Sequence, residues 1–276
     1  MYGSLTIGST GSEVYLSRGN LGASMLNLDF RDPVLFITLN RPEVRNAFND
    51  ELIGALTDAF AKLPTGTRAV VLAGEGPSFC AGGDLEWMRK AAAYSTKQNV
   101  EDATRLTLLF GTIQRCSAVV VARVHGHAFG GGCGLVSAAD VAVASTSAKF
   151  SFSEVKLGLI PATIAPFVLQ KLGPGHARAL FTTGEVFDAH RAHHVGLVHE
   201  VVMPEGLDVA VDAKLNAILA AGPKATIAAR DLTLDDLSLF DEAPKRLAAA
   251  RASEEGKEGV AAFLEKRKAT WVRPWP

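Results

Sequence analysis

Short apolar runs alternate with helix-like patterns along the first half of the chain. A helix is predicted to begin at Asn49, because Leu52, Leu56, Phe60 and Leu63 recur at helical spacing after this N-cap residue. Strands are predicted where aliphatic and β-branched residues form brief runs. These runs are 34–39, 69–73, 118–124 and 141–144. The alternation of the two patterns predicts an α/β core.

Helical patterns dominate the chain after residue 161. Together with a helical stretch before it, the predicted helices cover 85–115, 163–172, 188–195, 207–219, 224–232 and 244–267. We expect the helix over 163–172 to end at the Gly-Pro-Gly sequence that begins at Gly173. The pattern therefore predicts a polar tail over 1–27, an α/β core over 28–205 and a helical region over 206–276.

Composition excludes several classes of protein. The 28 Lys and Arg residues nearly balance the 29 Asp and Glu residues, which argues against bulk attraction to nucleic acid or to an anionic membrane. The most apolar run, 118–122, is far shorter than the roughly 20 residues of a membrane-spanning helix. Three cysteines without CxxC spacing predict neither a disulfide framework nor a zinc site and fit a cytoplasmic location. The first 24 residues lack the pattern of a secretory signal, and an organellar transit peptide remains an alternative for this segment.

Two glycine-rich turns each follow a predicted strand and precede a predicted helix. They are SFCAGGDL at 78–85 and HAFGGGCGL at 127–135. Glycines let the backbone approach a ligand closely, and a helix N-terminus presents free N–H groups to negative charge. Two such turns side by side could form an oxyanion hole, while the alternative is that they only allow tight packing. Neither turn matches a dinucleotide fingerprint or a P-loop.

Glu154 is the carboxylate best suited to acid–base chemistry, because it stands among apolar neighbours before a proline. Burial there would raise its pKa and let it exchange protons with a substrate. The alternative is a surface glutamate paired with Lys156. Asp84 is predicted to cap the first turn of a helix. No histidine has HExxH spacing and Cys133 has no evident paired base, so we expect neither a metal nor a nucleophilic cysteine.

Taken together, these segments resemble the crotonase superfamily, the enoyl-CoA hydratase/isomerase family, over about residues 33–271. Each motif alone is weak, but five in this order are specific. The motifs are NRP at 40–42 with RNA at 45–47, FCAGGDL at 79–85, GGGCGL at 130–135 with Asp140, EVKLGLIP at 154–161 and AFLEKR at 262–267.

The resemblance implies a spiral of ββα turns with C-terminal helices that mediate trimerisation, commonly as a dimer of trimers. It also implies a coenzyme A thioester as substrate and no separate cofactor. The backbone N–H groups of Ala81 and Gly131 would hold the thioester oxygen, and Glu154 matches the family's second catalytic glutamate. The remaining substrate-binding positions that the resemblance implies are Arg45 and Ala47 along CoA, Phe263 and Lys266 closing on CoA from a neighbouring subunit, and Gly82, Gly83, Asp84 and Gly134.

The chain departs from the family pattern at two places. Gly134 stands where hydratases with two glutamates carry the first, and ATIAPF at 162–167 replaces a glycine-rich stretch. With GGDLEWM at 82–88, both departures resemble a bacterial subgroup of methylglutaconyl-CoA or isohexenylglutaconyl-CoA hydratases. The leading expectation is therefore hydration of a 2-enoyl-CoA. One carboxylate also suits a Δ3-Δ2-enoyl-CoA isomerase, because the same base can remove and return a proton. A CoA-binding protein without catalysis would need Glu154 to face solvent.

Overall fold

The computed structural model of the chain describes residues 25–91, 93–234 and 253–275. Its strands are β1 (Leu26–Arg31), β2 (Val34–Leu39), β3 (Ala69–Gly74), β4 (Val119–Val124), β5 (His127–Phe129), β6 (Val141–Ser145), β7 (Lys149–Ser151), β8 (Val186–Asp188) and β9 (Glu200–Val202). The larger sheet has six strands in the order β1-β2-β3-β4-β6-β9, and the smaller sheet has three in the order β5-β7-β8. The larger sheet is parallel apart from the antiparallel pair β1–β2.

Helices cover both faces of the larger sheet. They are α1 (Asp50–Ala61), α2 (Leu85–Ala91), α3 (Thr96–Gln114), α4 (Gly131–Ala138), α5 (Ala165–Thr183), α6 (Ala189–His194), α7 (Leu207–Ala220), α8 (Pro223–Asp231) and α9 (Glu254–Leu264). Along β3, Val70 and Leu72 join the main core, while Val71 faces α7 on the other side. Side chains alternate between the two faces of a strand, so a central strand with helices on both faces has a continuous run of apolar residues. The strands predicted over 34–39, 69–73, 118–124 and 141–144 are confirmed.

Local capping signals locate several helix ends. The Asn49 side chain accepts a hydrogen bond from the Leu52 N–H at 2.9 Å, which confirms the predicted start of α1. The helices predicted within 85–115 are α2 and α3, and Ser95 forms the capping box that starts α3. The break expected at Gly173 is present, with φ 71° and ψ 163°, but the expected end is wrong. Helical structure resumes at Pro174, whose fixed φ suits a first helical turn, and continues to Thr183.

The edges of the predicted regions differ from the structure in detail. Strand β1 begins at Leu26, within the stretch assigned to the polar tail, and residues 1–24 lie outside the described ranges. Of the helix predicted over 244–267, the described part is α9, and residues 244–252 lie outside those ranges. Among the helices described, none combines the length and the apolar character needed to cross a bilayer.

Candidate active site

Three chain segments lie side by side beyond the carboxyl ends of β3 and β4. Strand β5 pairs in parallel with β7, and Cys80 forms an isolated parallel bridge with Ala128. The Phe129 N–H donates to the Cys80 carbonyl at 2.9 Å, and the Gly130 N–H donates to the Ser151 carbonyl at 2.9 Å. These bonds join both glycine-rich turns to the segment that leads into Glu154.

The first turn corrects one sequence-based assignment. The Ala81 N–H donates to the Arg45 carbonyl at 3.0 Å, so it is not free to bind a substrate oxygen. The Gly83 N–H has no backbone acceptor in the described part of the chain, whereas the Gly82 N–H is hydrogen-bonded to the Cys80 sulfur. The carbonyl of Gly82 and the N–H of Asp84 are both bonded across to the neighbouring loop. In a parallel bridge, the residue between two such groups points its own N–H away, which leaves Gly83 as an available donor.

The second turn presents the start of helix α4. Gly130 is its N-cap with φ 49° and ψ −116°, a backbone conformation that favours glycine. Gly131 is the first helical residue, and its N–H therefore has no partner within the helix. The Gly134 N–H closes the first turn by donating to the Gly130 carbonyl at 3.1 Å. No backbone acceptor of the Gly131 N–H is present among the described residues, and this N–H lies at the positive end of the helix dipole.

Glu154 occupies a short 3-10 helix, 153–157, directly beside the second turn. Its Oε1 lies 3.3 Å from the position that a methyl group on Gly130 would take. Its Oε2 is buried without a hydrogen-bond partner among the described residues, and burial raises the pKa of this carboxyl. The described residues include no ion pair between Glu154 and Lys156. The structure therefore favours the acid–base interpretation of Glu154 over the surface ion pair.

Asp84 caps α2, as its position in the sequence predicts. Its Oδ1 accepts from the Glu86 N–H at 2.8 Å, and its Oδ2 pairs with Arg41 at 2.9 Å. Burial by itself would raise the pKa of Asp84, but the hydrogen bonds from Arg41 and from the N–H groups of Glu86 and Trp87 together lower it. Asp84 is therefore a charged anchor for the first turn.

The loop 40–48 holds the first turn in place through groups that the sequence did not single out. The Asn46 side chain is fully buried and donates to the carbonyls of Glu75 and Ser78 at 2.9 and 2.8 Å. Arg41 donates to the Ala47 carbonyl as well as to Asp84. A buried asparagine with every polar atom bonded fixes local backbone geometry. In the sequence, only the NRP and RNA motif draws attention to Asn46, and that motif does not predict which groups Asn46 bonds to.

Ala47 and Arg45, the positions expected along CoA, lie beside the first turn. Arg45 is exposed with φ 55°, and its carbonyl takes the Ala81 N–H. Ala47 is 5% exposed. The structure thus brings these two residues together with the two turns and Glu154.

Comparison with known proteins identifies the family. The family model described as enoyl-CoA hydratase/isomerase matches residues 29–274. The chain belongs to this family. It is 32% identical over 254 residues to crotonyl-CoA hydratase of Syntrophomonas wolfei, covering 89% of this chain and 96% of that one. It is 34% identical over 266 residues to mevalonyl-coenzyme A hydratase SIDH of Beauveria bassiana, covering 89% and 94%.

A solved structure shows the same fold. A putative enoyl-CoA hydratase/isomerase (crotonase) from Legionella pneumophila superposes with a TM-score of 0.83 at 38% identity, covering 90% of this chain and 99% of that one. The predicted crotonase-like α/β fold and the prediction of an enzyme are therefore confirmed.

Buried side chains pack against Gly134, the position where the family pattern has its first glutamate. A methyl group on Gly134 would lie 2.5 Å from Cγ2 of Ile164 and 2.8 Å from Cζ of Phe110. Both neighbours are buried. Gly134 is therefore packed beneath the second turn, and no side chain extends from this position toward a substrate.

The C-terminal region that contains Phe263 and Lys266, the two residues expected to close on CoA, lies away from the two turns. The Trp271 carbonyl accepts from Arg68 at 2.6 Å, and Arg68 immediately precedes β3. The first turn instead follows the other end of this six-residue strand, about 20 Å away at about 3.3 Å per residue. Lys266 is exposed and has no contact with either turn among the described contacts. The side chain of Phe263 lies outside what the structure describes.

The cysteines and histidines at these turns do not form a metal or nucleophile site in the described ranges. Cys80 and Cys133 are free and buried. Burial raises the pKa of Cys80 to about 12 and raises that of Cys133 as well. A buried protonated thiol is a poor nucleophile. Across the residues described, no group of three or more His, Cys, Asp or Glu side chains could hold a metal ion.

Proposed function

We propose that this chain hydrates a 2-enoyl-CoA through an enolate of the thioester. One observation carries the proposal: the Oε2 atom of the half-buried Glu154 is buried and, among the described residues, unpartnered, and this carboxyl lies beside two turns that offer N–H groups without a backbone acceptor. The donors in this proposal are Gly83 and Gly131, with Gly83 replacing the initial assignment of Ala81. Arg45 and Ala47 lie along the CoA moiety.

The reaction adds water across the conjugated double bond. The oxygen of water attacks C3 while Glu154 accepts its proton, and the thioester carbonyl becomes an enolate. The N–H groups of Gly83 and Gly131 stabilise the charge on that oxygen, and losing one such donor costs about 10²–10³ in rate in other enzymes. Protonated Glu154 then delivers a proton to C2, which regenerates the carboxylate. The raised pKa of Glu154 suits a group that both accepts and donates a proton.

The acyl group proposed is branched, of the methylglutaconyl type. The support is the resemblance of residues 82–88, 134 and 162–167 to the subgroup named above. The two curated relatives carry different acyl names, crotonyl and mevalonyl, so family membership leaves the acyl group open. A panel of straight and branched enoyl-CoAs tests this part of the proposal by comparison of kcat/KM.

Isomerisation is the second candidate, and Gly134 favours it. With Phe110 and Ile164 against Gly134, the position of a second carboxylate is closed. A Δ3-Δ2 isomerase needs only one base, which removes a proton from C2 and returns it to C4. A CoA-binding role without catalysis is disfavoured, because it needs Glu154 in solvent while its Oε2 is buried.

The deciding experiment follows the absorbance of the conjugated enoyl thioester. Loss of absorbance from a 2-enoyl-CoA supports hydration, whereas gain from a 3-enoyl-CoA supports isomerisation. The Glu154→Gln variant should lower turnover about 10²–10⁴-fold, because glutamine keeps the size of the side chain but cannot transfer the proton. Full activity of that variant would refute both mechanisms.

We also propose a trimer or a dimer of trimers acting in the cytoplasm without a metal or nicotinamide. Three apolar residues that follow Glu154, namely Leu157, Leu159 and Ile160, are 61%, 55% and 75% exposed, which suits a subunit interface. The distance of the α9 region from the turns fits Phe263 and Lys266 closing on CoA in a neighbouring subunit. Activity that is abolished by a chelator and restored by zinc would contradict the absence of a metal.

A further inference from the structure

Phe48 is in contact with both glycine-rich turns. Its N–H donates to the Gly82 carbonyl at 2.7 Å, and its carbonyl accepts the Asp84 N–H at 2.9 Å. On the other side, a methyl group on Gly131 would lie 2.6 Å from Cε2 and 2.8 Å from Cδ2 of the Phe48 ring. The residue is 1% exposed. One side chain and its own peptide groups therefore connect the two segments that supply the proposed donors.

The backbone hydrogen bonds of Phe48 fix the orientation of the Gly83 peptide. Because Phe48 bonds to the residues before and after Gly83, the peptide of Gly83 is held at both ends with its N–H pointing away. The ring of Phe48 fixes Gly131. A ring edge lies so close to its Cα that any side chain would collide, and the start of α4 cannot move closer to the first turn.

The ring of Phe48 is itself held by the core. It packs edge-to-face on Phe110, with ring centroids 6.3 Å apart and an interplanar angle of 87°. Phe110 is fully buried. Because protein interiors are close-packed and resist compression, a ring held in this way keeps a fixed position.

We infer that Phe48 is a positioning residue that sets the separation between the N–H donors of Gly83 and Gly131. An oxyanion hole requires its donors about 2.7–3.1 Å from one oxygen, so a small change in their separation weakens polarisation of that oxygen. The inference rests on the proposed function. Phe48 does not contact the substrate in this account and acts through the two turns.

The test measures polarisation of the bound carbonyl directly. Crotonyl-CoA that is isotope-labelled at its carbonyl carbon is bound to the Glu154→Gln variant, and the carbonyl stretching frequency is recorded by infrared difference spectroscopy. Phe48→Leu is then added to this background. The matched control is Phe167→Leu, the same exchange in the same aromatic cluster, because Phe167 packs on Phe110 with centroids 5.8 Å apart and has no contact with Gly131 among those described.

We expect the parent carbonyl band to lie below its frequency in water, and Phe48→Leu to move it back toward that frequency. Phe167→Leu should leave the band in place. With Glu154 present, Phe48→Leu should lower kcat by about 10²-fold with a smaller change in KM, the scale expected for misplacement of about 1 Å. If Phe48→Leu does not fold, Phe48→Met serves for the same measurements.

The outcomes separate the two proposals. A parent band at its frequency in water means that no oxyanion hole exists, and the proposed function fails. A shifted parent band that Phe48→Leu leaves unchanged, or that both leucine variants move equally, overturns the role of Phe48 alone.

A rescue experiment provides an independent measurement. Gly131→Ala should lower kcat by about 10²–10³-fold, because the new methyl group pushes the turn away from the Phe48 ring. Removing that ring with Phe48→Ala makes room for the methyl group. The double variant should therefore lose less than the product of the two single losses, and a loss equal to that product would refute the contact as the cause.

Discussion

Placing a side chain at Gly134 is the perturbation whose consequence the structure defines most directly. In Gly134→Ala the new methyl group would lie 2.5 Å from Cγ2 of Ile164 and 2.8 and 2.9 Å from two atoms of the Phe110 ring. Such overpacking of a buried site costs about 1–3 kcal/mol. The matched control is Gly54→Ala in helix α1, where a methyl group would have no neighbour within 4 Å. Because alanine is a better helix former, that control should gain about 0.5–1 kcal/mol.

Both glycines are helical, so the propensity gain is common to the two variants, and they should differ by the packing cost of about 1–3 kcal/mol in unfolding free energy. Denaturant titration measures the difference, and each kcal/mol corresponds to about 2–4 °C in the melting temperature of a domain of this size. Ile164→Ala removes the nearest colliding atom and should reduce the cost of Gly134→Ala. A double-mutant cycle measures that coupling.

Gly134→Glu extends the test to function. The longer carboxylate does not fit between Ile164 and Phe110, so it should destabilise the chain further and should not raise hydratase activity on branched substrates. Equal stability of Gly134→Ala and Gly54→Ala would refute the packing argument. A gain of hydratase activity in Gly134→Glu would show that the position opens to the substrate after all.

Three further predictions concern charge and assembly. Burial raises the pKa of Glu154 above its ordinary 4.5, so the folded state binds the proton more tightly than the unfolded state. The stability of the wild type should therefore fall as the pH rises from 4.5 to the pKa of the folded state. In pH-dependent melting, Glu154→Gln should lack this loss of stability. Asp84→Asn keeps the cap but leaves the Arg41 charge without its counter-ion where both side chains are 12% exposed, so it should cost up to about 3–5 kcal/mol in denaturant titration at neutral pH. That cost should shrink as pH falls below 3.8, because the lowered pKa of Asp84 gives a stabilisation that acid removes. Sedimentation should show a trimer or hexamer that Leu159→Glu dissociates, and a wild-type monomer at micromolar concentration would contradict the proposed assembly.

The sequence alone determined the elements whose signals are local. Strands β2, β3, β4 and β6 are largely apolar runs, and α1 has its own cap and helical repeat, so no distant residue was needed to predict them. The same holds for the five ordered motifs that indicated the family. The three-residue strands β5, β7 and β8 were not predicted, because they are too short to show a period and form only by pairing within the smaller sheet.

The tertiary structure decided which groups of the site are free. The resemblance implies Ala81 as a donor, but its N–H donates to the carbonyl of Arg45, 36 positions earlier in the chain. Gly134 looked like a vacant catalytic position, yet Phe110 and Ile164 fill the space beside it. Whether an N–H is available, or a space is open, depends on partners that folding brings from distant segments. Sequence patterns indicate a residue's own conformational preference. Only the fold shows which polar groups are already hydrogen-bonded and which space neighbouring side chains already fill.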